Sequence, residues 1–157
     1  VMNAWAASVG GFPVGDSGFR FANHSGLSLE SRVSPRRMAD LLIALAKRAA
    51  DPATGHPRLP GAIAGYLRRH NVAAKSVPLD YDRLDVVAKT GTMNYVRGLA
   101  GYFATPGGRK FAFAIFSNDL SRRTGGAERV DKRWLSRAKG FERALIRSWV
   151  IRADRLG

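Results

Sequence analysis

Residues 86–103 read VVAKTGTMNYVRGLAGYF, and the fold turns on how that stretch is parsed. A β-prone run of small and apolar residues leads into Lys-Thr-Gly-Thr, and a second such run follows at once. A third run, KFAFAIFS, comes after TPGGRK, whose Pro-Gly-Gly core signals a tight turn and an antiparallel hairpin. Three strands are therefore expected, at about Asp85–Gly91, Gly98–Thr105 and Lys110–Ser117. In the third, Phe111, Phe113 and Ile115 alternate with Ala112, Ala114 and Phe116, so both faces are apolar. A sheet covered on both sides fits that pattern better than one open to water.

Helical signals flank the strands. Ser34-Pro35 opens the clearest of them, serine as N-cap and proline in the first turn, with Met38, Leu41, Leu42 and Leu45 at helical spacing and Asp51-Pro52 as the stop. A short helix is expected over residues 1–9, with Val1, Trp5 and Val9 on one side and Gly10 ending it. Phe12, Phe19 and Phe21 are expected to tuck inward from the Gly-rich segment that follows. Residues 52–59 read as a loop, and a shorter helix around 61–69 presents Ile63, Tyr66 and Leu67. After a Gly-containing loop at 120–129, Trp134, Ala138, Phe141, Leu145 and Trp149 form an apolar stripe on a closing helix, with Arg137, Arg143, Arg147 and Arg152 mostly off it. Helices over 1–80, a strand meander over 85–117 and a closing helix over about 130–152 make one α+β unit.

The 157 residues are enough for one domain with a core. No apolar run approaches a membrane span, and no signal peptide is visible at the start. Because the first residue is valine, the sequence is expected to begin partway along a longer product. With no cysteine there are no disulfides or thiolate metal sites, and the scattered His24, His56 and His70 show no metal-ligand spacing. Asp80, Asp82 and Asp85 read as loop residues without the Gly turns of a calcium site. No metal and no cofactor are expected. The net charge of +14 admits a polyanion partner. The cations are spread along the chain without any known nucleic-acid module, so no specific nucleic-acid partner is expected.

Lys-Thr-Gly-Thr at a strand edge suits an enzyme that binds a peptide as an added strand. Lys89 offers positive charge to a terminal carboxylate and helps keep a neighbouring base deprotonated. The Thr90 hydroxyl can hydrogen-bond the same carboxylate. Gly91, without a Cβ, allows close approach to the backbone. The Thr92 backbone N–H can act as one oxyanion donor, a contribution of about 3–4 kcal/mol to a transition state. On average residue usage the tripeptide arises by chance in roughly one such chain in a few dozen, so its surroundings matter.

K-T-G is one of three elements of the penicillin-recognising signature, with S-x-x-K and S-D-N. The surroundings here, Asn23, Ser25-Gly26-Leu27-Ser28 and Arg32-Val33-Ser34-Pro35 ahead of a helix, then Lys89 to Met93 and Leu99 to Tyr102, resemble the D-alanyl-D-alanine carboxypeptidase/endopeptidase family of low-molecular-mass class C penicillin-binding proteins. His24 stands where that family has glycine. The resemblance covers roughly residues 1–150. It implies the C-terminal portion of a penicillin-binding/serine β-lactamase-like α+β fold, with helices packed on an antiparallel sheet. It also implies a serine acyl-enzyme acting on peptidoglycan stem peptides outside the bacterial cytoplasmic membrane, and β-lactams as covalent inhibitors of the intact enzyme. Lys89 and Thr92 would be catalytic, and Thr90, Gly91, Met93 and Leu27 substrate-binding, the last two bordering a side-chain pocket or simply packing.

The family order is S-x-x-K, S-x-N, then K-T-G. No S-x-N triplet occurs, and the one S-x-x-K, Ser136 to Lys139, follows K-T-G. On a helical wheel that pair falls opposite the apolar stripe and faces solvent, where nothing would activate the lysine. The chain alone is therefore expected to hydrolyse nothing, with the N-terminal half of the same protein as its partner. The competing readings are a non-catalytic basic domain binding nucleic acid or anionic wall polymer, and a serine β-lactamase fragment.

Overall fold

The computed structural model describes residues 1–26, 28, 30–47, 62–72, 84–123 and 129–155. In chain order the elements are α1 (Met2–Gly10), β1 (Phe19–Arg20), β2 (Arg32–Val33), α2 (Pro35–Ala46), β3 (Arg68–Arg69), β4 (Asp85–Met93), β5 (Val96–Ala104), β6 (Lys110–Asn118) and α3 (Lys132–Arg155). Short 3-10 turns lie at Ala62–Tyr66 and Leu120–Arg122. The expected meander is present, with each strand a residue or more longer than its sequence bounds. β3 adds a fourth strand, giving the order β3-β4-β5-β6 with every neighbour antiparallel. Two arginines carry no periodicity, which is why β3 escapes a sequence reading. It replaces the end of the helix expected around 61–69, whose Tyr66 is exposed rather than inward.

Both faces of the sheet are covered, as the alternation in KFAFAIFS requires. On one face Val86, Ala88, Leu99, Phe103, Phe113 and Ile115 pack beneath Ile146 and Val150 of α3. On the other, Val87, Tyr102 and Ala104 meet Leu42 of α2 and Ala64. Each fully buried aliphatic side chain contributes about 2 kcal/mol. The Tyr102 hydroxyl ends against the α2 backbone, donating to the Leu42 carbonyl at 2.6 Å. Burial pushes its pKa up to about 12.

α2 starts as its sequence dictates. Ser34 Oγ accepts from the Arg37 N–H at 3.2 Å, and Pro35 occupies the first turn. Met38, Leu41, Leu42 and Leu45 all turn inward. α2 ends at Ala46 with Lys47 as its C-cap, short of the expected stop at Asp51-Pro52; Asp51, Pro52, the loop at 52–59, Asp80 and Asp82 lie outside the described residues.

α1 departs from expectation in its facing. Val1 and Trp5 are exposed, while Ala6 and Ala7 are buried with Phe12, Phe19 and Leu41. The rotation has a polar cause: Asn3 Oδ1 accepts from the Phe21 N–H at 2.7 Å and Asn3 Nδ2 donates to the Phe21 carbonyl at 3.0 Å. Those two bonds aim one side of α1 at the phenylalanine segment and leave alanines, the smallest side chains, to pack inward beside α2.

α3 is rotated similarly. Ala138, Glu142, Ile146, Val150 and Ala153 are buried, whereas Phe141, placed in the stripe from sequence, is 53% exposed. Trp134, Leu145 and Trp149 are half-buried. The phase is set by a charged residue, because Glu142 reaches into the sheet to meet Arg97.

Glycine is required at 101. A Cβ there would run into the Val87 carbonyl and come within 2.6 Å of Ala88 Cα, both backbone atoms of the adjacent strand. Gly101→Ala is expected to cost about 3 kcal/mol, read as a lower urea midpoint at an unchanged slope.

Candidate functional site

β4 has two different halves. Along its first half it is a central strand: β3 pairs with Val87 and Ala88, and the His70 N–H donates to the Val86 carbonyl at 2.9 Å. His70 Nε2 also lies 3.2 Å from the Ala88 carbonyl, which only accepts, so the bond puts the hydrogen on Nε2. Beyond Arg68 no described strand lies on that side. From Lys89 to Met93, β4 pairs only with β5, opposite Ala100 to Val96.

Backbone polarity follows from that register. Successive residues of a strand turn their N–H and C=O groups to opposite sides. Val86 and Ala88 turn theirs towards β3, so Thr90 and Thr92 turn theirs to the same, uncovered side. The segment thus turns backbone groups to a side where no described strand pairs with them, the edge geometry to which an extended peptide can add.

The side chains along this edge are also exposed or half-exposed. Lys89 is exposed, and its Nζ donates to the Thr90 carbonyl at 2.8 Å. Gly91 is exposed, and a Cβ built on it would meet nothing within 4 Å, so the space above it is open. Thr92 is exposed, with its Oγ1 accepting from Arg97 NH1 at 2.8 Å. Met93 is half-buried, its Sδ 3.6 Å from Arg123 NH2. The structure therefore brings Lys89, Thr90, Gly91, Thr92 and Met93 together on one strand edge. Leu27 lies outside the described residues. In the loop before it, Asn23 Oδ1 accepts from the Gly26 N–H at 3.0 Å and closes a turn in which Gly26 takes a φ of 73°.

The far end of the edge is anchored in a way that sequence reasoning missed. Asn94 and Tyr95 join β4 to β5, and Tyr95 adopts a φ of 52°. Asp131 holds that tip to the start of α3. Its Oδ1 accepts from the Trp134 N–H at 2.9 Å, its Oδ2 from the Tyr95 hydroxyl at 3.2 Å, and its own N–H donates to Asn94 Oδ1 at 3.1 Å. The Tyr95 and Trp134 rings meet edge to face. The Trp134 N–H holds the Asp131 carboxyl below its ordinary range; burial opposes it less strongly, and the Tyr95 hydroxyl adds a smaller lowering effect. Arg97 and Glu142 were missed too, although each stood out as a lone charge in an apolar phase of its element.

Ser136 and Lys139 are both exposed on α3, as their position on the helix wheel requires. A cleft of about 540 Å³ lies between the end of β6 and α3, bordered by Phe116, Arg122, Trp134, Arg137 and Phe141; no residue of the Lys89–Met93 edge lines it. Among the described residues no group of three or more His, Asp or Glu could hold a metal.

The model of the D-Ala-D-Ala carboxypeptidase 3 (S13) family matches residues 8–135. The chain is also similar to a crystal structure of penicillin binding protein 4 (dacB) from Haemophilus influenzae, complexed with a β-lactam, at 26% identity and a TM-score of 0.49. That match covers 94% of this chain and 37% of the other, so the chain spans little more than a third of that protein's length. No curated protein matches.

Asp131→Ala is expected to lower the melting temperature at pH 7. Because the folded carboxyl titrates below its unfolded value, its contribution is complete above about pH 4 and fades as the pH falls further. The gap between wild type and variant should narrow in acid; a gap constant from pH 7 to pH 2.5 would remove the charge from the explanation.

Proposed function

Since the chain belongs to the D-Ala-D-Ala carboxypeptidase 3 (S13) family, we propose that it supplies the substrate-binding strand of a serine carboxypeptidase/endopeptidase acting on the D-Ala-D-Ala end, or cross-link, of peptidoglycan peptides. The observation that carries this reading is the uncovered edge from Lys89 to Met93, where a charged residue, an open glycine and an outward backbone N–H follow one another.

The roles divide by position. A stem peptide lies antiparallel to the edge as an extra strand, bonding the outward N–H and C=O groups of Thr90 and Thr92. Its terminal carboxylate meets the Lys89 ammonium and the Thr90 hydroxyl. Gly91 leaves room for the peptide to lie against β4 without a clash. Met93, together with Leu27, borders the pocket for the side chain upstream of the scissile bond. When a serine hydroxyl attacks the penultimate carbonyl, the Thr92 N–H donates to the oxygen that gains charge. The acyl-enzyme forms as D-alanine leaves with the proton, and water later releases the shortened peptide.

The serine and its base come from elsewhere in the full-length protein. Two features support that division. S-x-x-K and S-x-N are absent from their family positions, and the outer edge of β6 is unpaired among the described residues although Lys110–Asn118 is apolar on both faces. A further segment completing the sheet there would cover it, with the N-terminal half as the natural source. β-Lactams, which mimic the D-Ala-D-Ala terminus, are then covalent inhibitors of the intact enzyme. The setting is outside the bacterial cytoplasmic membrane; among the described residues no helix is long and apolar enough to cross one. The basic surface there favours anionic wall polymers through screened electrostatics, so any such binding should disappear in high salt.

Labelling with a fluorescent penicillin, followed by gel and intact mass, tests the proposal. The full-length protein is expected to carry one covalent label, and the 157-residue chain alone none. Lys89→Ala should slow labelling roughly a hundredfold. Gly91→Val should abolish labelling with little change in melting temperature, because the space it fills is open. Label on the isolated chain would overturn the division of labour and make Ser136 the first residue to mutate.

A further inference from the structure

We propose that Arg97 is a positioning residue for the Thr92 peptide, an inference that rests on the substrate-edge reading above and extends it to a side chain that touches no substrate. Arg97 stands directly opposite Thr92 in the β4–β5 register. Its Nε and NH2 donate to the two oxygens of Glu142 at 2.8 and 3.1 Å, and its NH1 donates to Thr92 Oγ1 at 2.8 Å. Arg97 is 6% exposed and Glu142 3%, whereas Thr92 at the end of the chain of bonds is exposed. A buried fork therefore runs from α3 to the hydroxyl of an edge residue.

The chemistry of the fork makes it a fixture. A guanidinium is planar, so spending Nε and NH2 on one carboxylate fixes where NH1 points. Glu142 is fixed in turn by α3, which packs on the sheet through Ile146 and Val150. A lysine at 97 could not hold both partners in one plane. Stability is a weak reason for such a pair, because apolar residues of similar size often replace a buried ion pair without loss.

Position supplies the stronger reason. Thr92 lies past the reach of β3, where β4 has one neighbour instead of two. The peptide plane there is the one whose N–H faces the reacting carbonyl, and a donor aids a developing oxyanion most when it needs no reorientation. Holding the hydroxyl of the same residue fixes χ1 and restrains the flanking peptide planes. The signal in the sequence is an arginine inside a strand of small and apolar residues, answered by a glutamate in the inward phase of a basic helix.

The test compares full-length wild type with Thr92→Val, Thr92→Ser, the Arg97→Leu/Glu142→Leu pair, and the pair combined with Thr92→Val. Penicillin encounter affinity and acylation rate are measured separately. Thr92→Val and the leucine pair are each expected to slow acylation about tenfold at unchanged encounter affinity, Thr92→Ser, which keeps the hydroxyl, to acylate faster than Thr92→Val, and the triple variant to lose no more than either parent. Equal acylation in wild type and Thr92→Val, or losses that multiply in the triple variant, would overturn the proposal. Should the leucine pair not fold, the Thr92→Val and Thr92→Ser comparison decides alone. Should wild type itself fail to acylate, the serine-enzyme reading falls. The clamp is then judged by amide exchange of Gly91 and Met93, expected to quicken about tenfold in Thr92→Val and refuted if it does not.

Discussion

β4 is a central strand as far as Ala88 and an edge strand from Lys89, and the rest of the structure follows from that change. A central strand in a covered sheet must be apolar on both faces, and Val86, Val87 and Ala88 are each buried to within 1%. The adjacent strand has to come close to them, so position 101 can hold nothing larger than glycine. Once β3 ends, backbone groups on that side have no strand partner among the described residues, and such groups are stable only where a side chain, water or a ligand can reach them. Polarity rises at the same residue. One strand thus provides a rigid root in the core and a polar tip at the surface, and the tip inherits its position from the root.

Charge is distributed by the same division between core and surface. The chain carries +14, yet among the described residues the buried charges are Asp85, Arg97 and Glu142. Asp85 meets Arg69 across the β3–β4 boundary, and Arg97 meets Glu142 across the sheet–helix boundary. Each pair ties β4 or its neighbour to the element that borders it. Arg133, Arg137, Lys139, Arg143, Arg152 and Arg155 are all exposed on α3. They face solvent because the helix phase is set by Glu142, Ile146 and Val150. Arg109 and Arg147 are exceptions of another kind, bonding the Ala153 and Val72 carbonyls at 2.7 and 3.1 Å and working as struts at the sheet margin.

The strands, the start of α2 and the place of Lys-Thr-Gly-Thr on a strand were legible in the sequence because each rests on local rules: alternation, and a serine cap before proline. What was not legible depends on partners far away in the chain. The facing of α1 is decided by Asn3 and Phe21, that of α3 by Arg97 and Glu142, and neither pairing leaves a periodic trace. Trp5 and Phe141 look like core residues in a pattern based on hydrophobicity alone, and both are exposed. The anchoring of the hairpin tip by Asp131 was invisible for the same reason, since Asp131 and Tyr95 are 36 residues apart.

An exposed strand edge that attracts peptides also attracts other copies of itself, so a binding edge needs a built-in limit. Here the limit is length and chemistry together. Among the described residues the part of β4 without a second strand neighbour is the Lys89–Met93 segment, closed at one end by β3 and His70 and at the other by the Tyr95 tip held to α3. Lys89 adds a charge that a second copy of the same edge would have to face at close range. Gly91 offers no side chain to interdigitate, and the Thr92 hydroxyl is already engaged. On that side of β4 the Thr90 carbonyl is met by Lys89 Nζ, and the other outward backbone groups of Thr90 and Thr92 have no strand partner among the described residues. Backbone hydrogen bonds are available to any extended peptide, so they cannot discriminate between sequences. On the proposed reading, selectivity at such an edge would come instead from Lys89, whose charge the right peptide would answer and the wrong one leave unpaired.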